Sequence, residues 1–241
     1  MSTHKERNKK GIFHFVSYMI VGVFLLLVVS AASITFGAAE MSLKLAWGAV
    51  FQFDPNITEH QIIYTLRFPR TVADIIVGCS LAVCGAIMQG TTRNPLADSG
   101  LIGISSGSTF AIALCMAFLP GRTYGETMLY SCLGAAITTG ITYYIASIGK
   151  RGMTPQRLVL AGMSISMLFG AFSTFLAIKY EIGQALDYWS AGGTASAKWS
   201  ELAFISPLFV VGLVCAIALS PSITNLELWR GGGVRLGNSC E

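Results

Sequence analysis

The sequence predicts an all-α polytopic membrane protein with about six membrane-spanning helices. Three observations carry that prediction. Hydrophobic residues fill 53% of the 241 positions and charged residues only 12%, about half the charge of a typical soluble domain. Mean hydropathy is clearly positive at +0.63. Apolar runs long enough to cross a bilayer recur along the chain, and none alternates apolar with polar residues as a membrane barrel strand does. The bilayer core offers no water to pair backbone groups, so such runs are helices.

The spans fall near 12–37, 72–90, 101–119, 127–148, 158–178 and 202–220. Lys5, Arg7, Lys9 and Lys10 precede the first span as in a signal peptide. Its apolar core is too long for that, and no small-x-small cleavage site follows directly, so it reads as an uncleaved helix. Lys and Arg placement sets orientation. With the N-terminus inside, ten of the 16 basic residues lie on inner segments: Lys5, Arg7, Lys9, Lys10, Arg93, Lys150, Arg151, Arg157, Arg230 and Arg235. That gives a transmembrane region over 1–220 and a cytoplasmic tail over 221–241. The net charge of +4 suits a cytoplasm-facing surface and implies no nucleic-acid partner.

The outer segment 38–66 is mildly amphipathic, with Trp47, Phe51 and Phe53 suited to a membrane interface. Arg67 and Arg70 then fall outside, against the general charge bias. Between them Pro69 fixes the backbone and disfavours helix at Phe68. Guanidinium groups held there suit bidentate pairing with carboxylates; snorkelling to lipid headgroups is the alternative.

The second span places Gly78, Ala82, Gly85 and Gln89 on one helix face. Gly100, Gly103 and Gly107 open the third span, and Gly162, Ser166 and Gly170 repeat at four-residue spacing in the fifth. Small residues let helices approach closely in lipid. Gln89 either bonds a neighbouring helix or faces a wet pathway. Asp74 sits a few residues into its span, where a helix N-terminus stabilises an acid. No carboxylate or His lies at a span centre, as ion-coupled transport needs; His4, His14 and His60 are at or beyond the boundaries. Five cysteines (Cys79, Cys84, Cys115, Cys132, Cys215) lie within spans and Cys240 in the tail, none at metal or redox spacing, so they read as small buried hydrophobes. No catalytic motif, metal site or cofactor site is found. The segment 179–201 carries Tyr188, Trp189 and Trp199 around Gly192-Gly193. It reads as a short surface helix across the bundle mouth, or equally as an aromatic belt.

Several motifs in consistent order, Arg67-Phe68-Pro69-Arg70, Gly78 through Gly90, Arg93-Asn94-Pro95-Leu96-Ala97-Asp98, Gly103-Ile104-Ser105 and Arg157-Leu158-Val159-Leu160-Ala161-Gly162, with Trp189 and Trp199, resemble one family. It is the FecCD family, the permease subunits of binding-protein-dependent ABC importers for iron–siderophore complexes, haem and vitamin B12. The resemblance implies that Arg67 and Arg70 pair with glutamates of an extracytoplasmic substrate-binding protein. It implies a cytoplasmic gate loop at Met153, Thr154, Pro155 and Gln156, and a short helix near the outer mouth at 183–197. It implies a second permease subunit, homo- or heterodimeric, and two cytoplasmic ATPase subunits that hydrolyse the ATP, all within a bacterial cytoplasmic membrane and its lipid.

The resemblance also implies about ten spans, each of ~20 apolar residues, where this sequence offers six. After Leu226-Glu227-Leu228 the expected coupling pattern breaks at Trp229-Arg230-Gly231-Gly232-Gly233-Val234, and the tail reads as unlike a helix. Reading the codons one base later permits Gly-Gly-Glu-Glu-Val, so a frameshifted or truncated product is expected. Resequencing the gene tests this: absence of an in-frame continuation downstream would refute it. The expected activity is import of a ferric siderophore. The alternatives are a non-transporting remnant, which uptake by the chain with its partners would exclude, and an ion-coupled secondary transporter, which would need a mid-membrane carboxylate.

Overall fold

The computed structural model describes residues 2–36, 43–148, 153–191 and 193–235. Lys150, Arg151, Gly192 and Cys240, singled out above, lie outside them. The described residues form helices and turns: α1 (Ser2–Thr35), α2 (Leu43–Phe51), α3 (Thr58–Ile62), a π-turn (Ile63–Arg67), α4 (Phe68–Thr92), a 3₁₀ turn (Ser99–Ile102), α5 (Ile104–Phe118), α6 (Tyr124–Ser147), α7 (Pro155–Lys179), α8 (Gly183–Ala191) and α9 (Trp199–Arg235). Helices α1, α4, α5, α6, α7 and α9 coincide with the six predicted spans. Among the described residues, four segments are long and apolar enough to cross a membrane by themselves: Phe13–Thr35, Thr58–Thr92, Pro155–Lys179 and Trp199–Pro221. The architecture is that of a multi-pass membrane protein.

The chain divides into two units, Met1–Ala73 with Ala197–Trp199, and Asp74–Ser196 with Ser200–Glu241. In the first, Ala49 and Ile63 are buried and Ile34 packs on them. The link between α2 and α3 is an Asx turn, with Asp54 Oδ1 accepting from the Asn56 backbone N–H at 2.9 Å. Buried His60 accepts the Asp54 N–H at its Nδ1, 3.1 Å away, so a polar ring is satisfied locally rather than left for chemistry.

In the second unit α5, α6 and α7 pack closely, with Ala113, Leu176 and Leu186 in one core cluster and Ala146, Leu158 and Ala161 in another. The Arg93–Asp98 stretch shows why its residue types recur together. Arg93 takes a left-handed conformation (φ 54°) that ends α4. Asn94 Oδ1 then accepts from Leu96 N–H at 3.0 Å, and Asp98 caps the 3₁₀ turn by accepting from Gly100 N–H at 3.3 Å. Thr123 and Glu126 form a reciprocal capping box at the start of α6. Thr154 caps α7, and Pro155 occupies its first turn, where a missing N–H costs nothing.

Several expectations are corrected. Phe68 is helical (φ −67°, ψ −46°), because the π-turn before Pro69 absorbs the lost donor and the ring's steric demand. The helical path therefore begins at Thr58, and Asp74 lies well inside it rather than near its start. Its carboxylate accepts a short hydrogen bond from the Thr194 hydroxyl. The short helix expected over 183–197 ends at Ala191. Of the five described cysteines only Cys115 is buried. The tail is helical to Arg235; three glycines cost about 1 kcal/mol each in a helix but do not forbid one.

Candidate functional site

The first candidate site is the arginine segment. Ile34 and Thr35 end α1, and the last carbonyls of a helix have no partner within it. Arg67 supplies one: its Nη1 donates to Ile34 O at 2.9 Å and Thr35 O at 2.8 Å. A cation at the negative end of the helix dipole adds to the attraction. Arg67 is half-buried in this clamp, while Arg70, one turn further on, is exposed. Among the described residues no hydrogen bond or ion pair holds Arg70. The two arginines are thus presented differently, one on the α1 terminus and one to the surroundings.

An aromatic cluster braces the same segment. Trp199 lies between Tyr64 and Phe68, with ring centroids 5.7 and 5.4 Å away, and Phe53 packs on Tyr64 at 5.0 Å. The Trp199 indole N–H donates to Tyr64 O at 2.7 Å. The sequence placed Trp199 in a segment read as a short surface helix across the bundle mouth or an aromatic belt; this bond, for which no local signal exists, was not legible there.

The small residues sort into two groups. A Cβ on Gly103 (φ +88°) would press on Ser166 and Thr138; one on Gly107 would overlap the Thr138 side chain and Gly134 O; one on Gly162 would overlap Leu101 O. These are close approaches between α5, α6, α7 and the turn before α5. By contrast, Gly78, Gly85 and Gly170 have nothing within 4 Å of the position a Cβ would take. The α4 face carrying Gly78, Ala82 and Gly85 is therefore unpacked among the described residues. Gln89 is exposed, and its Nε2 donates to Pro95 O at 3.1 Å, closing the turn after its own helix. Missed were Thr138 and Thr142 of α6, both buried. Thr142 Oγ1 donates to Ile102 O at 2.9 Å. Their spacing of four with Gly134 was the available signal, the same one read in α7.

Met153 and Gln156 are exposed at the start of α7, flanking the Thr154 cap and Pro155. Trp189 of α8 stacks on Tyr124 with centroids 4.9 Å apart, and Leu186 anchors α8 in the core of the second unit. An apolar groove of about 410 Å³ runs along α5 and α6 beside Phe110, Leu114, Tyr130, Leu133 and Ile137.

Comparison with known proteins places these features in context. The model of the FecCD transport family matches residues 25–239. The iron(3+)-hydroxamate import system permease protein FhuB of Bacillus subtilis is 41% identical over 210 residues, covering 87% of this chain and 55% of the relative. The iron-uptake system permease protein FeuB of the same organism is 37% identical over 196 residues, covering 81% and 59%. The cobalamin import system permease protein BtuC of Halobacterium salinarum is 35% identical over 180 residues, covering 73% and 48%. The chain thus spans about half to three fifths of the length of these relatives. A solved inward-facing structure described as a metal-chelate type ABC transporter superposes with a TM-score of 0.72 at 28% identity, over 92% of this chain and 68% of that one.

Proposed function

This chain belongs to the FecCD transport family, and from that premise we propose that it acts as a permease subunit of a binding-protein-dependent ABC importer for ferric siderophores. The observation that carries the proposal is the match over residues 25–239, joined to relatives whose names specify iron(3+)-hydroxamate and iron uptake. The chain sits in a bacterial cytoplasmic membrane with its N-terminus in the cytoplasm, as the Lys and Arg distribution favours. The arginine segment then faces the outside. Exposed Arg70 is the group best presented to a carboxylate of a substrate-binding protein, and Arg67, on the α1 carbonyls, contributes from beside it.

A bulky chelate needs a wide, weakly specific passage. A second permease subunit supplies the other wall, and the open α4 face at Gly78 and Gly85 is a surface on which it or the pathway can lie. Met153, Thr154, Pro155 and Gln156 form the cytoplasmic gate; the Thr154 cap and Pro155 give that loop a fixed attachment to α7. ATP hydrolysis belongs to separate cytoplasmic ATPase subunits, whose closure drives alternation between outward and inward access.

The test is uptake of radio-iron loaded on a hydroxamate siderophore, in cells lacking the native permease and supplied with this chain and its partner subunits. Uptake that requires ATP and falls at least about tenfold with Arg70→Glu is expected, since like charges brought together at a docking interface cost more than about 1.4 kcal/mol. Uptake sustained by an ion gradient without ATP, or none at all with partners present, would overturn the reading.

A further inference from the structure

We propose that Trp199 is a positioning residue for the arginine segment: its indole N–H pairs the Tyr64 carbonyl, which Pro69 and the π-turn together leave without a backbone donor. In an α-helix the Tyr64 carbonyl would accept from the Phe68 N–H. Here the Phe68 N–H goes to Ile63 O, one residue further back. In that wider register the next donor would be residue 69, and proline has no N–H. Tyr64 O is therefore left over on both registers. Trp199 Nε1 reaches it at 2.7 Å, with the indole held against Tyr64 and Phe68.

The consequence is a tie between the first residue of α9 and the point where the helical path changes register. Arg67 ends the π-turn and Arg70 follows Pro69 by one residue, so the tie fixes the backbone that carries both. The importance for docking rests on the function proposed above; the pairing itself does not.

Hydrogen–deuterium exchange on the full chain in lipid nanodiscs tests it, read in peptides covering 61–72 and, as reference, 104–147. Trp199→Phe keeps an aromatic ring and removes the N–H. Exchange across 63–70 is expected to rise about fivefold, as for loss of one ordinary hydrogen bond, with α5 and α6 unchanged. Pro69→Ala restores a backbone donor for the leftover carbonyl. In that background, adding Trp199→Phe should alter exchange by less than about twofold, because the two sites then no longer share a task. Unchanged exchange in Trp199→Phe overturns the proposal. So does an equal rise in both proline backgrounds, or a rise spread alike over α5 and α6. Failure of the Arg70 uptake test would leave this exchange result intact, so the two ideas fall separately.

Discussion

Arg67 and Arg70 are one turn apart, yet the first spends its guanidinium on the Ile34 and Thr35 carbonyls while the second is exposed. Replacing Arg67 with Ala leaves two helix-end carbonyls without their donor, and thermal unfolding in detergent should show a loss of about 1–2 kcal/mol. Arg67→Lys should recover only part of it, because an ammonium lacks the planar fork. Arg70→Ala should leave unfolding unchanged. The glycines divide in the same way. At Gly107 a Cβ would meet both a side chain and the backbone carbonyl of Gly134, so neighbours cannot simply rotate aside. Gly107→Ala is expected to cost about 1–3 kcal/mol in the same unfolding measurement. Gly78→Ala, with open space around it, should be neutral or stabilising by up to about 1 kcal/mol.

Among the elements, the spans were legible because hydropathy and length are properties of the residues alone. Helix ends were less so. The Thr123–Glu126 box could have been read from its spacing, but the start of α4 could not. Pro69 correctly signals a broken backbone ladder; the chain changes register there instead of stopping, and the donor to Tyr64 O comes from Trp199, 130 residues from Pro69 by number. Likewise the four-residue spacing of small residues marks both Gly107 and Gly85, and only the packing distinguishes a filled face from an open one. The capping box makes a prediction of its own. The Thr123 backbone N–H donates to Glu126 Oε2 at 3.0 Å, and that bond, with lesser help from Arg122, holds the Glu126 carboxyl below its usual range. Glu126 precedes the predicted apolar span 127–148. A depressed folded-state pKa means that its contribution is present above the ordinary carboxylate range and is lost as pH falls through the lowered value. The thermal midpoint of the native chain should therefore converge on that of Glu126→Gln as the pH drops through that window, and stay apart from it at neutral pH. Parallel curves would remove the carboxylate from the account.

At the scale of the whole molecule, the hydroxyls of the membrane helices are mostly turned inward on their own backbones. Ser80, Thr139, Ser164, Ser173, Thr174 and Ser206 each donate to the carbonyl four residues back. Such groups are satisfied without a neighbour, so they neither specify helix contacts nor make a wet surface. Along the membrane helices, what remains to join this chain to a neighbour is shape. Among the described residues the α4 face at Gly78, Ala82 and Gly85 is open, whereas Gly103, Gly107, Gly134 and Gly162 are taken up by close approaches within the second unit. If that face meets a second permease subunit or borders the siderophore path, bulk there should harm transport without harming the fold. Gly78→Leu with Gly85→Leu is expected to leave the unfolding midpoint within about 0.5 kcal/mol of native, as for substitutions touching nothing, while radio-iron uptake falls at least about tenfold. Equal uptake by the double variant would mean that α4 faces lipid in the assembled transporter. The passage would then have to lie along another helix, for which the apolar groove beside Phe110, Tyr130 and Leu133 is a candidate.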